Sequence, residues 1–333
     1  AGRRGGRRPQ GEDAQDRDRH ARQPRVPAGC RLGSRGRASG RQRRPTDQLL
    51  PRPGDDAQPG GVDHLPPEEK HLLQTAAVIG VIVPLDLLAA VSELSDEQLF
   101  EYLAHLQSAE FIYESNLFPT LEYTFKHALT NEVAYGALLR DRRVALHARI
   151  VRALEINTPS LHHVEKLAHH AFCGEIWEKA ATYLRQAGTK SMARSAYREA
   201  VSYFDQALNS LGHLSKDRRT MEQALELRLD LRNALFPVEE LDRLHENLLA
   251  AERLAESVGD ERRLGRVCGY LAHYYTLMGD RDNAARSSER GLKIANALND
   301  FALQIELNYY VGRAYYYTGD YRRSIECHKL NID

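Results

Sequence analysis

The side chains whose types and spacing bear on chemistry here are histidine, cysteine, arginine and tyrosine. Four histidines crowd one short stretch, His162, His163, His169 and His170. Two imidazoles three or four residues apart on a helix share a face and can grip a metal ion, but no two of these four have that spacing. They read as solvated or partly packed, and no metal site is expected. The cysteines Cys30, Cys173, Cys268 and Cys327 are scattered without a C-x-x-C pair. That argues against a zinc ribbon and a disulfide framework, and fits a reducing compartment. No Ser/His/Asp or Cys/His arrangement carries a nucleophile signal, so no catalytic residue is expected. No GxxxxGK[ST] run occurs, so the loop of backbone amides that cradles phosphates is missing, and the chain alone is not expected to hydrolyse ATP.

The elements that position these residues follow from composition and pattern. Length, 333 residues, suggests about two domains. Lysine plus arginine and aspartate plus glutamate balance at 46 each, which excludes a general nucleic-acid or membrane footprint. The longest apolar run, Ala76 to Leu85, is broken by Gly80 and Pro84 and is far short of a membrane span. A soluble, cytoplasmic protein is expected. The chain opens on Ala1 without an initiator methionine and closes on Asp333 inside an amphipathic pattern, so a fragment of something longer is expected.

Residues 1–61 are Arg/Gly/Pro-rich and lack aliphatic periodicity. Fifteen arginines precede residue 53, yet the first lysine is Lys70. Such a stretch buries too little apolar area to offset its ordering entropy, and disorder is expected. It reads as a linker or an out-of-frame stretch, with an arginine-rich nucleic-acid arm as the alternative.

Order begins at "LPPEEKHLLQTAAVIG". Pro66 and Pro67 suit a first helical turn, Glu68 and Glu69 complement its positive end, and Leu72, Leu73, Ala76 and Ala77 form one face ending at Gly80. A second helix is expected from Pro84, with Leu87, Leu88 and Val91 inward. In a third, Ser95 and Gln98 form a capping box before Leu99, Leu103 and Leu106. "FIYES" and "LEYTFKH" read as two strands around a loop containing Pro119. A helical stretch follows, carrying His147, Ile150, Val151 and Leu154. Three helices and a hairpin over 62–155 is the order of a winged helix. From Ser95 to Glu110 the third helix carries Asp96, Glu97, Glu101 and Glu110 without lysine or arginine, so DNA reading is not expected.

From 156 to 333 the chain reads as helical repeats. Gly188, Tyr197, Ala200, Phe204 and Ala207 fall in the phase of the 34-residue tetratricopeptide (TPR) pattern. The signal returns as "YYTLMGDRDNAARSSERGLKIA" and "YYYTGDYRRSIECHKL". There Gly279-Asp280 and Gly319-Asp320 mark turns, Ala284 and Ser324 take the small-residue position, and Gly312 and Tyr315 match the preceding helix. Leu225, Leu229 and Leu231, then Leu244, Leu248, Ala251 and Leu254, supply a weaker pair. Tyrosines such as Tyr274, Tyr275, Tyr310, Tyr315 and Tyr317 read as packing between helices, and Trp177 as packing near a helix start. The first helix of each repeat should line the concave face, so Arg266, His273, Tyr309, Arg313 and Tyr316 are the expected contacts for a protein or small effector.

The segments "LPPEEKHLLQTAAVIG", "LQSAEFIYES" and "YTFKHALTNEVAYGALL" together resemble the region downstream of the ATPase core in large bacterial signalling proteins. Those proteins join a class III adenylate/guanylate cyclase domain, a STAND-type P-loop ATPase and a TPR solenoid. The resemblance covers about 62–333. It implies a mainly α fold, a winged-helix-like domain followed by a TPR-type α-solenoid. It implies ATP or ADP on an ATPase core in cis, with no cofactor held by this chain alone, and no metal-binding aspartates of a cyclase domain are present. It also implies that His127 of "FKH" contacts the ADP phosphate, a role imidazole can fill as a hydrogen-bond donor. The residue-level alternative is a histidine that caps or packs at a junction, while Lys126 points to the other strand face. The expected function is a regulatory, sensor segment. Alternatives are part of an ATPase-TPR transcriptional regulator, or a plain TPR scaffold.

Overall fold

The computed structural model describes residues 61–116, 120–157 and 163–332. The segment 1–60 with Cys30, the Pro119 loop and His162 lie outside the described residues.

After a 3-10 turn (Val62–His64), helix α1 (Pro67–Ile79) starts with proline in its first turn and ends at Gly80, whose φ of 136° suits a residue without Cβ. Then come β1 (Ile82–Pro84), α2 (Leu85–Ser92), α3 (Asp96–Ser108), β2 (Ile112–Asn116) and β3 (Glu122–Phe125). The Ser95/Gln98 capping box that starts α3 is present. All strands pair antiparallel in the order β1-β3-β2, with Val83 opposite Tyr123 and Ile112 opposite Phe125. Two strands were expected; the third, β1, spans three residues, too short to show a period-2 pattern inside a continuous apolar run. Leu72, Leu73, Leu88, Leu99, Leu103, Leu106, Tyr123 and Phe125 close one core, each at most 4% exposed.

The helical stretch after the hairpin is two helices, α4 (Ala128–Gly136) and α5 (Arg140–Asn157). Leu146, Ile150 and Val151 of α5 belong to a second core that continues into the repeats. Helix α5 packs against α1 and α2 on one side and α6 (Val164–Cys173) on the other, so it joins the two bodies of side chains.

Beyond it the structure is mainly α and TPR-like. Helices α7 (Trp177–Ala193) and α8 (Tyr197–Gly212) pair, as do α9 (Arg218–Val238) with α10 (Leu241–Val258), α11 (Glu261–Leu277) with α12 (Arg281–Ala297), and α13 (Phe301–Tyr317) with α14 (Tyr321–Lys329). A methyl group on Gly188 would sit 2.5 Å from Phe204 Cε1, so only glycine lets α7 meet that ring. The last helices share a device the two Gly-Asp turns only half reveal. Asp260, Asp280, Asp300 and Asp320 each accept a backbone N–H three residues ahead as an N-cap. Each follows a left-handed residue, Gly259, Gly279, Asn299 or Gly319. A stop-and-start signal therefore recurs at each turn, and α11, α12 and α13 all have 17 residues. Among the described residues no helix is long and apolar enough to cross a membrane.

Candidate ligand-binding face

The first helices of the last three pairs, α9, α11 and α13, bring arginine and aromatic side chains together. Helix α9 supplies Arg232 and Phe236, with the Arg232 guanidinium 4.1 Å from the Tyr270 ring centroid on α11 and 5.4 Å from that of Phe236. The ring of Tyr270 meets Tyr310 of α13 edge-on at 5.6 Å. His273, one turn on from Tyr270 and 3% exposed, lies between Phe236 at 5.4 Å and Tyr310 at 5.5 Å. Its Nε2 is buried and has no hydrogen-bond partner among the described residues. Burial, then the charges of Arg313 and Arg232, push the His273 pKa down to about 4, so the ring is neutral near pH 7. Burial likewise raises the phenol pKa of Tyr270 and of Tyr310.

The arginines of this face are held in two ways. Arg266 donates through Nη2 to the Tyr270 hydroxyl at 3.1 Å and lies 3.3 Å from Glu306 through Nε. That second contact is an ion pair without hydrogen-bond geometry, and Nε stays among the buried atoms lacking a bond. Arg313 donates to the hydroxyls of Tyr309 at 3.2 Å and Tyr317 at 3.0 Å, a ladder along one side of α13. Arg232 donates to Asn233 at 3.1 Å. Among the described residues, neither Arg232 nor Arg313 forms an ion pair with a carboxylate; aromatic rings and neutral oxygens hold them. Such a guanidinium retains hydrogen-bonding capacity for a carboxylate or phosphate.

Of the residues expected from sequence, Arg266, His273, Tyr309 and Arg313 stand on this face. Tyr316 turns away: exposed, it packs edge-on against Tyr317 and against Tyr321 of α14. Arg232, Phe236, Tyr270 and Tyr310 complete the face and were not singled out. Their spacing carried the signal, since Arg232 and Phe236, like Arg266 and Tyr270, lie four apart on one helical face. The tyrosines divide between packing and exposure. Tyr274 is buried and stacks on His245 at 4.6 Å, whereas Tyr309 and Tyr317 keep about half their surface open. Trp177 opens α7 and stacks on His213 at 4.0 Å.

His127 follows β3 and occupies the N-cap position of α4 with extended backbone angles; its side chain makes no capping bond and is exposed. Leu129 and Val133 of α4 are exposed beside it. Lys126 is tied to Glu110 at 2.8 Å.

The histidine-rich stretch also changes with structure. His170 is buried, and its Nδ1 is 2.8 Å from Nδ1 of His147 on α5. Nε2 of His147 is 3.2 Å from the Tyr135 hydroxyl. No histidine stands at helical spacing from His169, but Cys173, four residues on, does.

No protein-family model matches the chain. An uncharacterized protein of Rhizobium meliloti (strain 1021), R02095, is 30% identical over 172 residues, which span 51% of this chain and 16% of that protein. Among solved structures, BtubC (BKLC) from P. vanneervenii is similar with a TM-score of 0.44 at 15% identity, over 60% of this chain and 83% of that one. Aspartyl phosphate phosphatase F from Bacillus subtilis gives 0.42 at 10% identity, over 84% and 76%. A STAND protein with a tetratricopeptide repeat sensor, PH0952 from Pyrococcus horikoshii, gives 0.32 at 13% identity, over 81% and 50%.

Proposed function

We propose that the chain is the receptor segment of a nucleotide-switched signalling ATPase, and that the α9/α11/α13 face binds an acidic peptide segment of a partner protein. One observation carries the reading. Arg232 and Arg313 flank a buried His273 whose Nε2 has no partner among the described residues, and no carboxylate among those residues ion-pairs with either guanidinium. A carboxylate there would form charge-assisted bonds that the rings cannot supply, and the aromatic rim would cover the peptide backbone.

The region 62–155 is the winged-helix-like domain in this reading, with α5 at its end sharing a core with the repeats. Its exposed Leu129, Val133 and His127 would dock on a P-loop ATPase core in cis, His127 meeting the phosphates of bound ADP. Helix α5, packed on both bodies, would transmit effector binding to that lid, favouring one nucleotide state by differential affinity. A nucleotide cyclase attached to the core would report the change. DNA is not the partner of α3, which carries Asp96, Glu97 and Glu101 and no lysine or arginine.

The test is an array of short peptides covering acidic, basic and apolar compositions, probed with the purified chain. Capture should concentrate on aspartate- and glutamate-rich peptides and disappear in R232Q/R313Q. Equal capture of basic peptides, or unchanged capture by the double variant, would refute the reading.

A further inference from the structure

The joint between α5 and α6 gathers a set of metal-ligand side chains that lies apart from the arginine face. His169 and Cys173 are four residues apart and share one side of α6. The Cys173 sulfur lies 3.9 Å from His169 Nε2 and 4.0 Å from its Nδ1. Across the joint His147 of α5 is 1% exposed, and its ring stands nearly perpendicular to that of His169 with centroids 5.7 Å apart. One ligand atom from each of the three lies within 4.8 Å of the other two. We propose that His147, His169 and Cys173 bind a zinc-class divalent cation that clamps α5 to α6.

The geometry sits close to what the ion demands. Zinc bonds of roughly 2.0–2.1 Å to nitrogen and 2.3 Å to sulfur put tetrahedral ligand atoms roughly 3.3–3.7 Å apart. Closing the set therefore takes a shift of about 1 Å, which exposed His169 and half-buried Cys173 can supply by side-chain rotation. His147 is the fixed member. Its two ring nitrogens meet Tyr135 and His170, so whichever nitrogen takes the ion, the other stays oriented by a neighbour. The backbone also holds the two helices in register. A methyl group on Gly174, next to Cys173, would come within 2.9 Å of the Ala148 nitrogen and 3.2 Å of the His147 carbonyl carbon.

Binding replaces the Cys173 thiol proton, which leaves to solvent, while both imidazoles bind as neutral donors; no electron is transferred. The thiolate charge offsets part of the repulsion from Arg143, whose guanidinium lies 5.2 Å from the Tyr135 ring centroid. Three protein ligands leave a fourth position for water or an added donor. A soft thiolate with two imidazoles favours zinc over magnesium or calcium.

The experiment is titration of the tag-free chain, stripped of metal, with cobalt(II). One equivalent should bind, with a near-ultraviolet thiolate-to-cobalt band and a visible tetrahedral band, both bleached by zinc. C173S should remove the thiolate band, and H169A should weaken cobalt binding roughly tenfold or more. His169 is exposed, so H169A tests the site without disturbing a core; circular dichroism checks both variants. Absence of the band in the wild type, its survival in C173S, or unchanged affinity in H169A would each overturn the assignment.

Discussion

Two populations of arginine occupy the same repeats and are treated oppositely. Along the seam of α7, α9 and α11, Arg185 and Arg263 are each held by two carboxylates, at least one of them on a neighbouring helix. Arg185 reaches Glu226 at 2.8 Å and Asp230 at 2.7 Å, and Arg263 pairs with Glu226 and Asp260. Farther along, Arg290 of α12 takes Glu252 at 2.7 Å and Glu256 at 2.6 Å on α10. On the α9/α11/α13 face, Arg232 and Arg313 lie against tyrosine and phenylalanine rings instead. The first set is spent on joining helices. The second keeps its charge, at a cation–π gain of roughly 0.5–2 kcal/mol each, where an incoming anion can reach it. The difference separates residues that hold the array together from those that recognise.

The largest contrast is expected in binding. R232Q/R313Q should lower affinity for an acidic peptide by about 100-fold, two charge-assisted bonds at roughly 1.5 kcal/mol or more each, and lower the melting temperature by only a few degrees through the lost ring contacts. Calorimetric titration beside a thermal scan measures both; a large fall in melting temperature would move these arginines to the structural set.

His273 sharpens the comparison through pH. Its pKa falls from 6.5 in the unfolded chain to about 4 in the fold, so between those values the unfolded state binds more protons. Folding stability must therefore decline as pH drops from 6.5 toward 4, by on the order of 2–3 kcal/mol from this residue. Urea unfolding at pH 7 and pH 5 should show a smaller decline in H273Q than in wild type. His147 and His170, also held neutral by burial, are unchanged in both proteins, so the difference isolates His273.

On the structural side, G188A drives a methyl into the Phe204 ring and should cost about 1–3 kcal/mol while sparing peptide affinity. The smallest effect belongs to E226Q. It weakens contacts to Arg185 and Arg263, but each keeps an aspartate and all are partly exposed, so about 1 kcal/mol or less is expected, again without loss of affinity. A peptide-binding defect in E226Q would break the division.

How much of this was legible in the sequence depended on whether the signal was local. The Ser95/Gln98 box, the apolar faces of α1 to α3 and the Gly188/Phe204 contact are set by residues close in sequence or by a known repeat phase, and all could be read. The strand β1 could not, because it exists only by pairing with Thr124, Tyr123 and Glu122, about forty residues away. For the candidate face, Arg266, His273, Tyr309 and Arg313 followed from their places on first helices. Arg232 was hidden because α9 deviates from the repeat phase, and Tyr316 lies apart from the face because its helical angle sends it toward α14. The His147–His169–Cys173 cluster needed two helices to meet across a joint, which spacing within one helix does not reveal.

The most direct measurement follows the arginine Nε–Hε resonances by NMR while an acidic peptide captured on the array is added. On this division of the arginines, the signals of Arg232 and Arg313 should shift in proportion to occupancy while those of Arg185 and Arg263 stay in place. Binding that moves the seam arginines equally, or leaves Arg232 and Arg313 still, would contradict it.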